Sequence, residues 1–341
     1  MSKTFISPIS LLLALLLFCP LLSGCIPEEK GPQAKPAFGL ALEGQPRSTS
    51  FLRELEEEVG LPVRLINFFL QWPKDPDFDN FPQGALEAVL EFGAVPVLTW
   101  EPMYYDSGEQ MIPAADILGG RYDRYITLFA NRIKRLDGPV FIRFAHEMNL
   151  SRYHWGGTRE EYGPESPQKY IKMFRHVRTI FKEQDARNAF FVFCPNNESL
   201  PNAKFDSDAE WNRVRNYYPG DQFVDILGMD GYNWGTTQTM REHGWESRWL
   251  SFEQIFVDIF QELKDINAGK PLYVFETSSV NKGGDRGLWI KNAFLVAEKW
   301  EIDGLIWFHA DKEEDWRLKY HGEEDDFDQI REKIKTKVIL E

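Results

Sequence analysis

The sequence predicts a single-domain α/β protein, a (β/α)8 TIM barrel, on three observations. From about residue 37 onward one unit recurs eight times: a short β-branched or aromatic run, a polar or aromatic loop, then a longer segment with helical periodicity. The first strand is not followed by a glycine-rich phosphate turn, since "ALEGQPRS" lacks spaced glycines, and no "GKS" or "GKT" occurs, which disfavours a doubly wound nucleotide-binding sheet. The 341-residue chain accommodates the about 250 residues that such a barrel takes, with room for long loops.

Residues 1–24 read as a signal peptide of the lipoprotein type rather than as fold. Lys3 supplies the positive start, and "ISLLLALLLF" is an apolar run too short for a comfortable membrane span and soon broken by Pro20. Its end, "LLSGC", resembles the bacterial lipobox, in which cleavage leaves the Cys to carry lipid, so Cys25 is the expected membrane anchor. Plain secretion with cleavage nearby is the alternative. Residues 25–36 then form the lipidated N-terminus and linker, and 37–341 the barrel domain. Ile26, in place of the Asp that retains lipoproteins in the inner membrane, favours the outer membrane or cell surface. Processing leaves Cys25 and Cys194, which implies no disulfide framework.

The strands follow in order: "AFGLAL" (37–42), "VRLINFFL" (63–70), "VPVLTW" (95–100), "VFIRFA" (140–145), "AFFVFC" (189–194), "VDILGM" (224–229), "LYVFE" (272–276) and "GLIWFH" (304–309). Helical stretches lie between them, among them "RYDRYITLFANRIKRL", "SPQKYIKMFRHVRTIFKEQ" and "SFEQIFVDIFQELKDI", the last two opening on a Ser suited to capping. The longest loops follow strands three (101–120), four (146–165) and six (230–250), all on the face where barrel enzymes carry their active sites.

Composition narrows the partner. A formal charge of -14 argues against nucleic acid, because phosphate-binding proteins present a basic face. Eleven Trp and an aromatic share of 14% suit the apolar faces of sugar rings as well as they suit cores. Five of those Trp, at 72, 100, 155, 234 and 307, fall near strand ends on one expected rim, which points to a ring-lined cleft.

Two carboxylates, Glu147 after strand four and Glu276 at the end of strand seven, are placed to face each other across the barrel mouth. Glycoside hydrolysis needs such a pair, one carboxyl to protonate the leaving oxygen and one to attack or to direct water. Both follow apolar runs, where partial burial and a like-charged neighbour raise one pKa. A zinc-protease reading of His146-Glu147 fails, since position 150 is Leu rather than His. Glu101 either binds sugar hydroxyls or pairs with Arg143, and Asn196 is either a cleft hydrogen-bonder or a turn residue. Cys194 reads as a buried thiol, Trp211, Trp289 and Trp300 as packing residues on helices, and the acidic run at 322–328 as a solvated cap on the last helix.

"RFAHEMN" resembles the strand-four motif of glycoside hydrolase family 26, a retaining (β/α)8 family. Further similarities lie in "FFVFCPN", "YYPGDQFVDILGMDGYNWG", "PLYVFETSS" and "IWFHADKEEDW", so the resemblance covers roughly residues 60–320. It implies that Glu147 is the acid/base and Glu276 the nucleophile, with His146 and Tyr232 holding substrate or orienting a carboxylate. It implies no cofactor and no catalytic metal. The run "MNLSRYHWG" departs from the family's "MNG" and "WYPWG": Leu150 replaces the Gly, Arg152 the first Trp and His154 the Pro. An Arg at that wall could meet an acidic or substituted sugar.

The expected substrate-binding set is therefore His146, Tyr232, Trp155, Trp100, Trp307, Trp72, Asn196 and Trp234. The expected function is a monomeric, lipid-anchored, retaining endo-β-glycosidase acting on a β-mannan or β-glucan type of polysaccharide. The alternative from another class is a non-catalytic surface lipoprotein that binds glycans on the same barrel.

Overall fold

The computed structural model describes residues 36–318 together with Met1 and Ile330, so the signal segment, Cys25 and the acidic run at 322–328 lie outside the described residues. The described residues form ten strands: β1 (Ala37–Leu42), β2 (Leu65–Gln71), β3 (Val95–Glu101), β4 (Met103–Tyr105), β5 (Glu109–Met111), β6 (Val140–Phe144), β7 (Ala189–Phe193), β8 (Ile226–Asn233), β9 (Leu272–Ser279) and β10 (Gly304–Phe308). Eight of them close into a parallel barrel in the order β1-β10-β9-β8-β7-β6-β3-β2, while β4 and β5 form a separate antiparallel hairpin in the loop after β3. The helices are α1 (Thr49–Val59), α2 (Gln83–Phe92), α3 (Ala114–Leu118), α4 (Asp123–Ile133), α5 (Ser166–Glu183), α6 (Met240–His243), α7 (Phe252–Asn267) and α8 (Arg286–Lys299). Among the described residues no helix is long and apolar enough to cross a membrane.

Period-two alternation divides each strand between two cores. Leu65 on β2, Val95 and Val97 on β3, Phe141 on β6, Val192 on β7 and Ile306 with Phe308 on β10 belong to the cluster inside the barrel. Their neighbours Ile66, Phe68, Leu98, Trp100, Ile142, Phe144, Phe191, Leu305 and Trp307 belong to the larger cluster shared with the helices. Two glycines make room in the crowded interior. A Cβ on Gly39 would lie 2.5 Å from the Cβ of Leu65, and one on Gly228 would lie 2.4 Å from the Phe275 ring.

Capping matches the sequence at α7, where Ser251 accepts from Gln254 N and Gln254 returns the bond to Ser251 N. It differs at α5. There Ser166 is the first helical residue, and its hydroxyl turns back to accept from Gly163 N instead of capping forward. The helix dresses the outside of the barrel, and the mouth is left to the loops.

Candidate active site

Past β6 the backbone leaves the strand abruptly. Ala145 and Glu147 both take φ near 49°, in the left-handed region that non-glycine residues seldom occupy. Such conformations cost of order 1–3 kcal/mol each and persist where the surroundings over-determine them. Here Glu147 N donates to Cys194 O at 2.8 Å, Leu150 N donates to Glu147 O at 3.0 Å, and the carboxylate faces the barrel mouth. Asn196 Nδ2 donates to Glu147 Oε1 at 2.6 Å. Asn196 is itself fixed by Asn149, whose side chain accepts from Asn196 N at 2.9 Å and donates to Asn196 O at 3.0 Å. Burial, and then the charge of Glu276, push the Glu147 carboxyl up to about 7.

Glu276 reaches the same mouth by a different device. Along β8 and β9, Met229 pairs with Val274 but Asp230 pairs with Glu276, so Phe275 is the extra residue of a bulge. The pairing of β10 with β9 shifts at the same place. Strict alternation would send Glu276 outward after the inward Phe275, and the bulge turns both inward. The carboxylate then accepts from Tyr232 Oη at 2.6 Å and from the Arg143 guanidinium. Arg143, fully buried on β6, also donates to Asp230 and to Thr99 Oγ1, the latter at 2.9 Å. Breaking a buried ion pair of this kind by removing one partner costs about 3–5 kcal/mol, so the arginine pins the nucleophile candidate and ties β6 to β3, β8 and β9 through the barrel interior.

Both carboxylates line one open cavity of about 420 Å³. Its rings are Phe69, Tyr105, Tyr153, Tyr232, Trp234, Phe308 and Trp316. Its charged lining is predominantly acidic, with Glu43, Glu101, Glu109, Glu147, Glu276 and Glu313 against Arg152 and Lys312. Glu101 resolves toward the cleft rather than toward Arg143: it accepts from Gln71 Nε2, and burial pushes its carboxyl up to about 7 against the opposing effect of that bond. Among the described residues no cluster of three or more His, Cys, Asp or Glu side chains is placed to hold a metal ion.

Of the residues expected in the substrate-binding set, Tyr232 and Trp234 line the cavity, and Asn196 supports Glu147. Trp72, Trp100 and Trp307 do not reach it and are corrected to packing residues. Trp100 points away from the barrel interior, stacked on Phe129 of α4 at 4.5 Å, and Trp72 lies against it at 4.8 Å. Trp307 meets Trp289 of α8 edge-on, and its Nε1 donates to Trp316 O at 2.7 Å. The physical reason is parity: Thr99 and Glu101, or Ile306 and Phe308, take the inward direction, so the Trp between them faces the helices.

His146 and Trp155 sit one layer below the wall. The His146 ring is buried 4.6 Å from Tyr153, and burial, then Arg143, hold its pKa well below the usual value, so it is neutral. Trp155 stacks under Tyr153 at 5.1 Å and donates from Nε1 to His146 O at 2.7 Å. Arg152, considered as a receptor for an acidic sugar, already grips Glu109 of β5 with both Nη atoms. Lining residues not singled out from sequence include Tyr153, Phe69, Gln71, Tyr105, Glu109 and Trp316. The inward parity of Phe69 and Gln71 with Leu65 was the available signal for those two.

The family model described as Glycosyl hydrolase family 26 matches residues 113–267, a span that contains Glu147 and stops short of Glu276. Endoglucanase H of Acetivibrio thermocellus is 32% identical over 278 residues, covering 81% of this chain and 28% of that protein. Both matches make the chain similar to glycoside hydrolase family 26. A mannan endo-1,4-β-mannosidase of Bifidobacterium adolescentis is 29% identical over 140 residues, covering 38% of this chain and 13% of its own length. The chain thus spans less than a third of the length of each of these two curated relatives. Solved family 26 structures share the barrel at low identity. The β-mannanase from Bacteroides ovatus matches with TM-score 0.57 and 17% identity, covering 90% of this chain and 91% of that one. The endo-β-mannanase/endo-β-glucanase from Prevotella bryantii matches with TM-score 0.60 and 16% identity, covering 89% and 45%.

Proposed function

We propose that this barrel is a family 26 retaining endo-β-glycosidase that cleaves a neutral β-linked polysaccharide of the β-glucan or β-mannan type. The observation that carries the reading is the pairing in one cleft of two differently held carboxyls. Glu147 is buried and keeps its proton up to about pH 7, and Glu276 is oriented by Arg143 and Tyr232. In the first step a Glu276 oxygen attacks the anomeric carbon while Glu147 gives its proton to the departing glycosidic oxygen. In the second, Glu147, now a carboxylate, takes a proton from water, the water oxygen bonds to the anomeric carbon, and Glu276 leaves. Asn196 holds the Glu147 carboxyl at its station in both steps.

The names of the relatives, an endoglucanase and mannan endo-mannosidases, support glucan or mannan as the polymer. A barrel that only bound glycans would gain nothing from bringing two carboxylates to one cleft, where each raises the electrostatic cost of the other. The test is a reducing-end assay on mixed-linkage β-glucan, β-mannan, cellulose and β-xylan, with viscosity to read internal cleavage. New reducing ends with an early viscosity drop on glucan or mannan are expected, and products should appear first as the β-anomer. No reducing ends from any polymer would overturn the reading.

The proposal extends to export with lipid on Cys25, supported by the "LLSGC" run alone. Metabolic labelling with a radioactive fatty acid should mark the protein and fail to mark Cys25→Ala. Equal labelling of the two would remove that part.

A further inference from the structure

The guanidinium on the acid/base loop has its charge matched in advance. Arg152, five residues after Glu147, forks onto both oxygens of Glu109, and the two side chains line the cleft from loops that follow neighbouring strands, one on the hairpin after β3 and one after β6. Their side chains are 51% and 28% exposed, so the pair borders the space a substrate would enter. Arg152 is held from below as well, with its guanidinium 4.8 Å from the centre of the Tyr153 ring, which stacks on Trp155. A guanidinium has five N–H donors in one plane, and Glu109 occupies two of its nitrogens on one edge. The remaining donors suit hydroxyl oxygens. The other cation of the lining, Lys312, lies 3.6 Å from Glu313. With Arg152 held by Glu109 and Lys312 beside Glu313, the lining keeps an excess of carboxyl groups, of which Glu276 is balanced by Arg143.

We propose that the Arg152–Glu109 pair is a charge filter: it offers hydrogen-bond donors to an uncharged sugar unit beside the acid/base and rejects a unit that carries a carboxylate. The filter rests on the glycosidase reading for its biological sense but not for its measurement. An unpaired arginine at this position would attract a uronic acid, and Glu109 is what prevents it. Specificity here comes from an element that repels the wrong sugar as much as from one that attracts the right one.

The test uses the full chain and matched probes: mixed-linkage β-glucan and β-mannan oligosaccharides, each with a counterpart partly oxidised at C6 to the carboxylate. Binding is measured by calorimetry in a Glu276→Ala background to suppress turnover, and kcat and KM are measured without that substitution. Affinity for the oxidised form relative to the native form should rise about tenfold in Glu109→Gln, as expected when a like charge is removed beside a retained arginine. Glu109→Asp, which keeps the charge, should preserve the discrimination even if it weakens binding overall, which a purely structural role would not do. An unchanged ratio of oxidised to native affinity in Glu109→Gln overturns the filter. Binding without hydrolysis would remove the glycosidase reading and leave the filter to the ratio, whereas binding of neither form would overturn both.

Discussion

Glu276→Ala is expected to lower turnover on polysaccharide by about 10⁴-fold or more, because it removes the atom that forms the covalent intermediate. The readout is the mass of the intact protein after treatment with a 2-deoxy-2-fluoroglycosyl fluoride. Wild type should gain one sugar and the variant none, and labelled peptide should map to Glu276. A label on any other residue counts against the role. The fold should survive the change. Arg143 keeps Asp230 as a buried counter-ion and Thr99 as an acceptor, so the guanidinium is not stranded in the barrel. External azide should restore turnover and give a glycosyl azide of inverted, α configuration, since it would attack from the face that Glu276 vacates.

Glu147→Ala should show the complementary pattern. Turnover of an unactivated polymer is expected to fall by about 10²–10⁴-fold, and turnover of an aryl glycoside with an acidic leaving group by far less, because such a group departs without a proton. The wild-type pH profile carries the same information. The acid must be protonated to act, and its pKa lies at about 7, so kcat/KM should fall as pH rises through about 7. That alkaline limb should vanish in Glu147→Ala. Persistence of the limb with the polymer still cleaved would assign the acid elsewhere, with Glu101, also pushed up to about 7 by burial, the first place to look. The sign for stability agrees. A carboxyl whose native pKa is raised from 4.5 to about 7 binds a proton that the unfolded chain has released, so its contribution to stability declines as pH climbs through that interval.

The barrel was legible because its strands are buried on both sides and read as dense apolar runs, which set them apart from the half-polar helices. All eight expected strands are present in the described residues, and those that run past their expected ends do so through polar residues, by one residue at Gln71 and Glu101 and by more on β8 and β9. On β8 and β9 the chain continues past Met229 and Glu276 into Asp230, Asn233 and Thr277–Ser279, all buried. Hydrophobicity alone stops too early there. Asn233 Nδ2 donates to Ser279 Oγ at 2.8 Å, and such pairs let polar side chains extend a strand inside a barrel.

The site was legible at the level of position along the strands and less so in direction. Glu147 and Tyr232 come to the cleft from the places their strand ends suggest. Trp72, Trp100 and Trp307 also sit at strand ends, yet one step of parity separates the cleft from the helix layer, and each lies on the far side of that step. Glu276 violates the alternation and reaches the cleft only through the bulge at Phe275, which no pattern of apolar residues announces. Arg143 lies inside an apolar run, where its charge is balanced by Asp230 and Glu276 about 87 and 133 positions away along the chain. Those contacts are products of barrel closure.

The column of rings after Glu147 binds two properties that a breeder of new enzymes would want to alter independently. Arg152 lies over Tyr153, Tyr153 over Trp155, and Trp155 is fastened to the carbonyl of His146, the residue directly before Glu147. Whatever reshapes the upper wall to admit another sugar also leans on the peptide that aims the acid. Lineages that changed diet by substituting here would inherit a shifted pH response with the new substrate, and paired substitutions in the column should combine non-additively, because they share one foundation.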